Sequence, residues 1–155
     1  MGKDTCAEYL KKHLGLSFES SSWFACNHFI YDKLKSEKGY SSIQECYDDR
    51  HSSGMRQWWF DLICQYNRDD PAKLGRELFK THDLYVGLRS RREHQQLIKE
   101  IPSLSIWISA DKRIKELEDD SSCTVTEEDA DFIITNNGSV LEFEQKLGKL
   151  VELLR

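Results

Sequence analysis

Gly2-Lys3-Asp4-Thr5 stands directly ahead of a helical repeat of apolar residues, which is where the closing end of a phosphate-binding loop belongs. In such a loop backbone N–H groups and the helix N-terminus hold the anion, and a lysine ammonium bridges its outer oxygens. On this reading Gly2 is part of the cradle and Lys3 binds the β- and γ-phosphates of ATP, steadying the charge on the transferring group. Asp4 takes the place of the usual metal-binding Ser or Thr and, with Thr5, supplies oxygens for Mg2+; Thr5 also faces the α-phosphate. The plain alternative is an ordinary helix start, with Asp4 a favourable carboxylate in the first turn.

Arg89, Arg91 and Arg92 crowd the start of another expected helix, where the macrodipole already presents partial positive charge and cations are disfavoured. An anion should compensate them, either a phosphate chain or the acidic surface of the protein itself. None of the five histidines forms a ligand-like pair.

The elements that must position these groups alternate. Helical spacing is expected from Lys3 to His13, at Trp23–Leu34, in a short helix from Ser42, from about Gly54 to Tyr66, from Asp70-Pro71 to about Lys80, over Arg91–Lys99 and from Ser139 to Leu154. Short apolar runs at Leu16–Phe18, Leu84–Val86, Leu104–Ile108 and Phe132–Thr135 are expected strands. Strands separated by helices imply parallel pairing, because each crossover returns across a sheet face. Trp58 and Trp59, on the helix after Gly54, are assigned to the core. The acidic segment Asp111 to Glu128 is expected to be irregular and mobile.

Composition bounds the answer. A chain of 155 residues with 39% hydrophobic content suits one domain, residues 1–155. A net charge of -5 argues against general nucleic-acid affinity. No apolar run approaches the ~20 residues of a spanning helix, so no membrane partner and a cytoplasmic location are expected. The five scattered cysteines, with no C-x-x-C, read as reduced thiols that mostly fill the core.

Three stretches carry a resemblance: Gly2-Lys3-Asp4-Thr5, Arg89-x-x-x-Glu93 after a strand, and Asp131 to Ser139 before the last helix. In them the chain resembles the bacteriophage deoxynucleoside monophosphate kinases, P-loop enzymes that move the terminal phosphoryl of ATP to a deoxynucleotide. The resemblance implies a three-layer P-loop α/β sandwich with a parallel sheet. Met1 falls where the fourth variable residue of G-x-x-x-x-G-K would stand, so the first strand and first half of the loop are expected to be missing from this chain.

By the same resemblance Arg89 and Arg92 meet the phosphates, and Glu93 lies at the acceptor side of the cleft. Asn136, Asn137 and Gly138 lie beside the adenine; the alternative is a strand-to-helix turn capped by Ser139. Ser21 and Ser22 suit the acceptor nucleotide, one serine of that run being an N-cap. Arg50, Arg56 and Arg68 fall in the region that closes over the acceptor, where a guanidinium fork suits a monophosphate. Gly87 stands where better-known relatives place an aspartate. The expected function is thus a deoxynucleoside monophosphate kinase using ATP and Mg2+. A catalytically impaired nucleotide-binding protein, or another P-loop kinase of the dephospho-coenzyme A type, stays open as an alternative, as does a homodimer.

Overall fold

The computed structural model describes residues 2–112 and 123–155; most of the acidic segment expected to be mobile falls at 113–122, outside them. The order is α1 (Lys3–Leu14), β1 (Phe18–Ser20), α2 (Ser21–Ala25), a π-helical turn (Cys26–Ile30), α3 (Tyr31–Lys38), α4 (Ile43–Asp49), α5 (Met55–Tyr66) and α6 (Lys73–Leu78). Then come β2 (Leu84–Val86), α7 (Arg91–Glu100), β3 (Ile106–Ser109), a 3-10 turn (Glu127–Asp129), β4 (Phe132–Thr135) and α8 (Val140–Leu154). The chain is mixed α/β, and no helix among the described residues is long and apolar enough to cross a membrane.

The strands form two parallel pairs, β1 with β2 (Phe18 opposite Leu84) and β3 with β4 (Ile106 opposite Phe132). Among the described residues β2 and β3 are not bonded to each other. The Leu84 N–H of β2 donates to the Ser17 carbonyl just ahead of β1, and the Phe132 N–H of β4 to the Ser105 carbonyl just ahead of β3. Because successive residues of a strand turn opposite ways, Tyr85 directs its backbone groups away from β1, and Ile106 and Ile108 direct theirs away from β4.

Two cores hold these parts. Ala25, Cys26, Ile30, Leu34, Cys46, Trp59 and Leu74 pack the helices from α2 to α6 together. The second core sets Cys6 and Leu10 of α1 and Phe143, Leu147 and Leu150 of α8 over Ile134, with Leu84, Ile106, Ile108 and Phe132 packed around it. One face of α1 and α8 therefore covers residues of both strand pairs. Of the five cysteines, Cys6, Cys26 and Cys46 are buried, Cys64 is exposed and Cys123 lies between.

Side-chain hydrogen bonds move several boundaries. β1 begins two residues after Leu16, because the Asp83 carboxylate takes the Ser17 N–H (2.8 Å) and hydroxyl (2.7 Å). The helix after it starts at Ser21, before Trp23, since Ser20 caps it by accepting the Trp23 N–H at 3.1 Å. It runs on past Leu34 to Lys38, where Gly39 (φ 75°) ends it. β3 starts at Ile106 because the Asp131 carboxylate accepts the Ser105 N–H at 2.7 Å. After Asp70-Pro71 the helix begins only at Lys73, the Asp70 carboxylate serving the Ala72 N–H. Trp59 is buried, whereas Trp58 is 39% exposed under the Lys38 ammonium at 4.3 Å; the stripe assigned to the core is one tryptophan narrower.

Candidate functional site

Parallel strands place their carboxyl ends on one side, and ligands of open α/β sheets bind there. Here those ends are Ser20, Val86, Ser109 and Thr135, each leading into a turn. The start of α1 arrives among them. Gly2 is in the left-handed region (φ 101°), and a Cβ there would collide with the Asn136 side-chain amide and lie 3.5 Å from Ile108. Gly2 is therefore seated against the ends of β3 and β4.

Gly87 is the counterpart on the other pair. It too has positive φ (97°), and a Cβ on it would lie 3.1 Å from Ser21 Oγ and 3.8 Å from Lys3 Cε. Lys3 and Ser21 thus flank the ends of β1 and β2, while the residue before Lys3 touches the other pair. The two glycines let side chains close in where a Cβ would stand.

The helix end itself is open. No side chain caps α1, and its first internal bond is Cys6 N–H to Gly2 C=O at 2.9 Å. The backbone N–H groups of Lys3, Asp4 and Thr5 have no hydrogen-bond partner among the described residues, as is usual in the first turn of an α-helix. Lys3 approaches Asp4 at 3.9 Å with both side chains more than half exposed, a contact of little energetic weight. Asp4 and Thr5 are exposed hard-oxygen donors beside the free N–H groups. One or two such oxygens suffice for Mg2+ arriving with polyphosphate, because the ion keeps waters and phosphate oxygens as its other ligands. No cluster of three or more metal-binding side chains occurs among the described residues.

The arginines divide. Arg91 Nε donates to both oxygens of Asp129, at 2.8 and 3.0 Å, and its N–H is taken by the Thr124 hydroxyl. The anion compensating it is the protein's own carboxylate, held below the usual range by that guanidinium. The Arg89 carbonyl accepts the Thr124 and Val125 N–H groups, so residues 124–125 fold back on the start of α7. Arg92 is exposed and makes no ion pair among the described residues. Arg50 is tied locally, donating to the Tyr47 carbonyl at 2.7 Å with its guanidinium 3.6 Å from the Tyr47 ring centre. Arg56 is exposed in the first turn of α5; Arg68 lines a surface groove of about 400 Å³ with Lys33 and Trp58. Neither the Tyr47 contacts of Arg50 nor the groove that Arg68 lines includes Gly2 or Lys3.

Asn136 is buried, its N–H on the Ser109 carbonyl and its side chain against Gly2, so it braces the opening of α1. The Asn137 side chain accepts the Lys112 N–H at 3.1 Å, and Gly138 admits the Glu142 carboxylate that completes a capping box with Ser139. The strand-to-helix turn expected for 136–139 is there. Ser22 is half-buried in the first turn of α2, beside Ser21.

Glu93 sits behind the cluster rather than on its surface. It is 4% exposed, accepts the Tyr85 hydroxyl at 2.9 Å and also accepts the Gly75 N–H. Burial pushes its carboxyl up from 4.5 to about 7, with those two donors pulling the other way. Tyr85 was legible only as a strand residue; a tyrosine two residues before Gly87 gives no signal of a hydroxyl facing inward.

A stability effect follows with a fixed sign. Between pH 4.5 and about 7 the unfolded chain has lost the Glu93 proton and the folded chain keeps it, so this group's contribution to stability falls as pH rises through that window and is level above it. The full span is on the order of 3 kcal/mol. Asp83, Asp129 and Glu142, held low by hydrogen bonds, act in the opposite sense at lower pH. Glu93→Gln should lose the slope between pH 5 and 7.5 in urea unfolding; an unchanged slope would show that Glu93 titrates normally.

No protein family model matches this chain, and no curated protein or solved structure does either.

Proposed function

We propose that this chain binds a nucleoside triphosphate at the N-terminus of α1 and passes the terminal phosphoryl group to a deoxynucleoside monophosphate, within a P-loop type of three-layer sandwich. One observation carries the reading: Gly2 and Lys3 lie between the carboxyl ends of two parallel strand pairs, with Ser21 beside Lys3. Uncapped N–H groups and a lightly held ammonium at such a place suit the phosphates of a nucleotide.

The strand arrangement supports the fold. A parallel strand between β2 and β3 would meet Tyr85 on one side and Ile106 and Ile108 on the other, joining the pairs in the order β1-β2-inserted strand-β3-β4. Its carboxyl end would then lead to Gly2 and α1, the strand-loop-helix order of a phosphate-binding loop.

Catalysis in this reading is positioning and charge neutralisation, since phosphoryl transfer asks little covalent work of the protein. The α1 N–H groups orient the triphosphate, Lys3 neutralises the moving group, and Ser21 with Ser22 faces the acceptor. Mg2+ held through Asp4 and Thr5 would screen the phosphate charge. A specific finding favours the rival reading, binding without transfer: Arg91 and Arg50 are already engaged within the protein, which thins the cationic supply around the phosphates.

A coupled ADP-release assay separates these. With Mg2+ and ATP, the four deoxynucleoside monophosphates, their ribose forms and dephospho-coenzyme A are supplied in turn. ADP formation that requires a deoxynucleotide is expected; ADP formation only with dephospho-coenzyme A would assign the other kinase class, and ATP binding with no release would leave the binding-protein reading.

A further inference from the structure

Asn136 follows β4 directly and is a buried polar residue, 5% exposed, whose backbone N–H donates to the Ser109 carbonyl at 2.6 Å. Its support is firm. Lys146 of α8 donates to the carbonyl and the hydroxyl of Thr135, at 2.8 and 2.6 Å, and the Ser109 hydroxyl donates to Asp111 at 2.6 Å. The start of α1 is held differently: Lys3, Asp4 and Thr5 are exposed, and the residues that this helix sends into the core begin at Cys6.

The two meet at Gly2. A Cβ on Gly2 would lie 2.4 Å from Asn136 Nδ2 and 3.4 Å from Asn136 Cγ, so the amide occupies the place that a side chain at residue 2 would take. The left-handed φ of 101° brings the chain into this contact, and the helix then begins with the Cys6 N–H on the Gly2 carbonyl. Where Asn136 sits therefore decides where the first turn of α1 points its N–H groups.

The turn beyond Asn136 is engaged within the protein. The Asn137 side chain accepts the Lys112 N–H at 3.1 Å, and a Cβ on Gly138 would lie 2.2 Å from Glu142 Oε2. These contacts commit the turn to α1, to the residues after β3 and to α8. We propose that Asn136 is a positioning residue for the phosphate chain: it fills the place of a side chain at residue 2, fixes the direction of the α1 N–H groups, and makes no contact with the adenine. This rests on the phosphate-binding reading of the cluster and replaces the role that the resemblance implies for Asn136.

Inorganic tripolyphosphate with Mg2+ is the probe, because it carries the phosphates without a base; ATP with Mg2+ runs beside it. Both are titrated into the full chain while the amide resonances of Lys3, Asp4 and Thr5 are followed. Asn136→Ala should weaken both ligands alike by about tenfold, the worth of one hydrogen bond to a charged group. Asn136→Ser replaces it throughout should Asn136→Ala lose spectral dispersion. Gly2→Ala pushes a methyl group into the amide and adds the strain of a left-handed alanine. In the double variant Gly2→Ala with Asn136→Ala the strain stays and the collision goes, so the ratio of the two isolates the contact. The double variant should bind tripolyphosphate about tenfold more tightly than Gly2→Ala, a coupling usual for residues that touch. A double variant that binds no more tightly than Gly2→Ala, or a change at Asn136 that weakens ATP alone, overturns the positioning role and leaves the phosphate site standing. Amides that neither ligand moves in the wild-type chain overturn the phosphate-binding reading and the positioning role with it.

Discussion

Lys3→Ala lowers ATP-dependent phosphoryl transfer by about 10³-fold or more while leaving the protein folded. The rate loss follows from removing the ammonium at the moving group, a preorganised charge whose loss costs orders of magnitude in comparable sites. The fold survives because Lys3 is exposed and, among the described residues, its ion pair is the loose one with Asp4, so stability should shift by no more than about 0.5 kcal/mol. Lys3→Arg should rescue poorly, a planar fork being a different object from a compact ammonium. Turnover by coupled ADP release, beside unfolding curves for both variants, checks the pair. Unchanged turnover in Lys3→Ala would remove Lys3 from the chemistry.

A Val- and Ile-rich strand joined through a glycine-containing loop ahead of Met1 raises thermal stability by about 6–12 °C. Among the described residues no strand pairs with Tyr85 of β2 on the side away from β1, or with Ile106 and Ile108 of β3 on the side away from β4. Each hydrogen bond formed there contributes roughly 0.5–1.5 kcal/mol, and each large apolar side chain buried adds about 1.5–3 kcal/mol. Ordering the strand costs about 1–2 kcal/mol per residue. The net is a gain of about 3 kcal/mol, which sets the temperature shift at this chain length. A Gly/Ser segment of equal length is the control and should give none. Equal melting temperatures for the two fusions would mean that the edges are satisfied as they stand.

What the sequence disclosed depended on whether a residue's role is local. The helix before Gly15, the cap at Ser139 and the run from Met55 to Tyr66 are written in spacing and end signals, and all three stand in the structure. Parallel pairing was legible too, because helices intervene between the strands. Boundaries set by partners distant in the chain were not: Asp83 claims Ser17 from 66 residues away and Asp131 claims Ser105 from 26.

The site shows the same division. Gly2, Lys3, Ser21 and Asn136, chosen from three separate stretches, gather at the strand ends together with Gly87. Glu93 was taken for a cleft residue, yet it points inward, because only the fold shows which face of α7 carries the Gly75 N–H and Tyr85 hydroxyl against it. Arg91 meets an acidic residue 38 positions on, a pairing that charge counting permits but does not select.

The most direct test of the account is a titration of the isotopically labelled chain with ATP and Mg2+, following the backbone amides of Gly2, Lys3, Asp4 and Thr5 together with the melting temperature. Saturable shifts confined to these amides and their neighbours Ser21, Gly87 and Asn136, with a rise in melting temperature, are expected. Amides that stay put and a melting temperature that does not move at saturating nucleotide would contradict the claim that the start of α1 holds a polyphosphate.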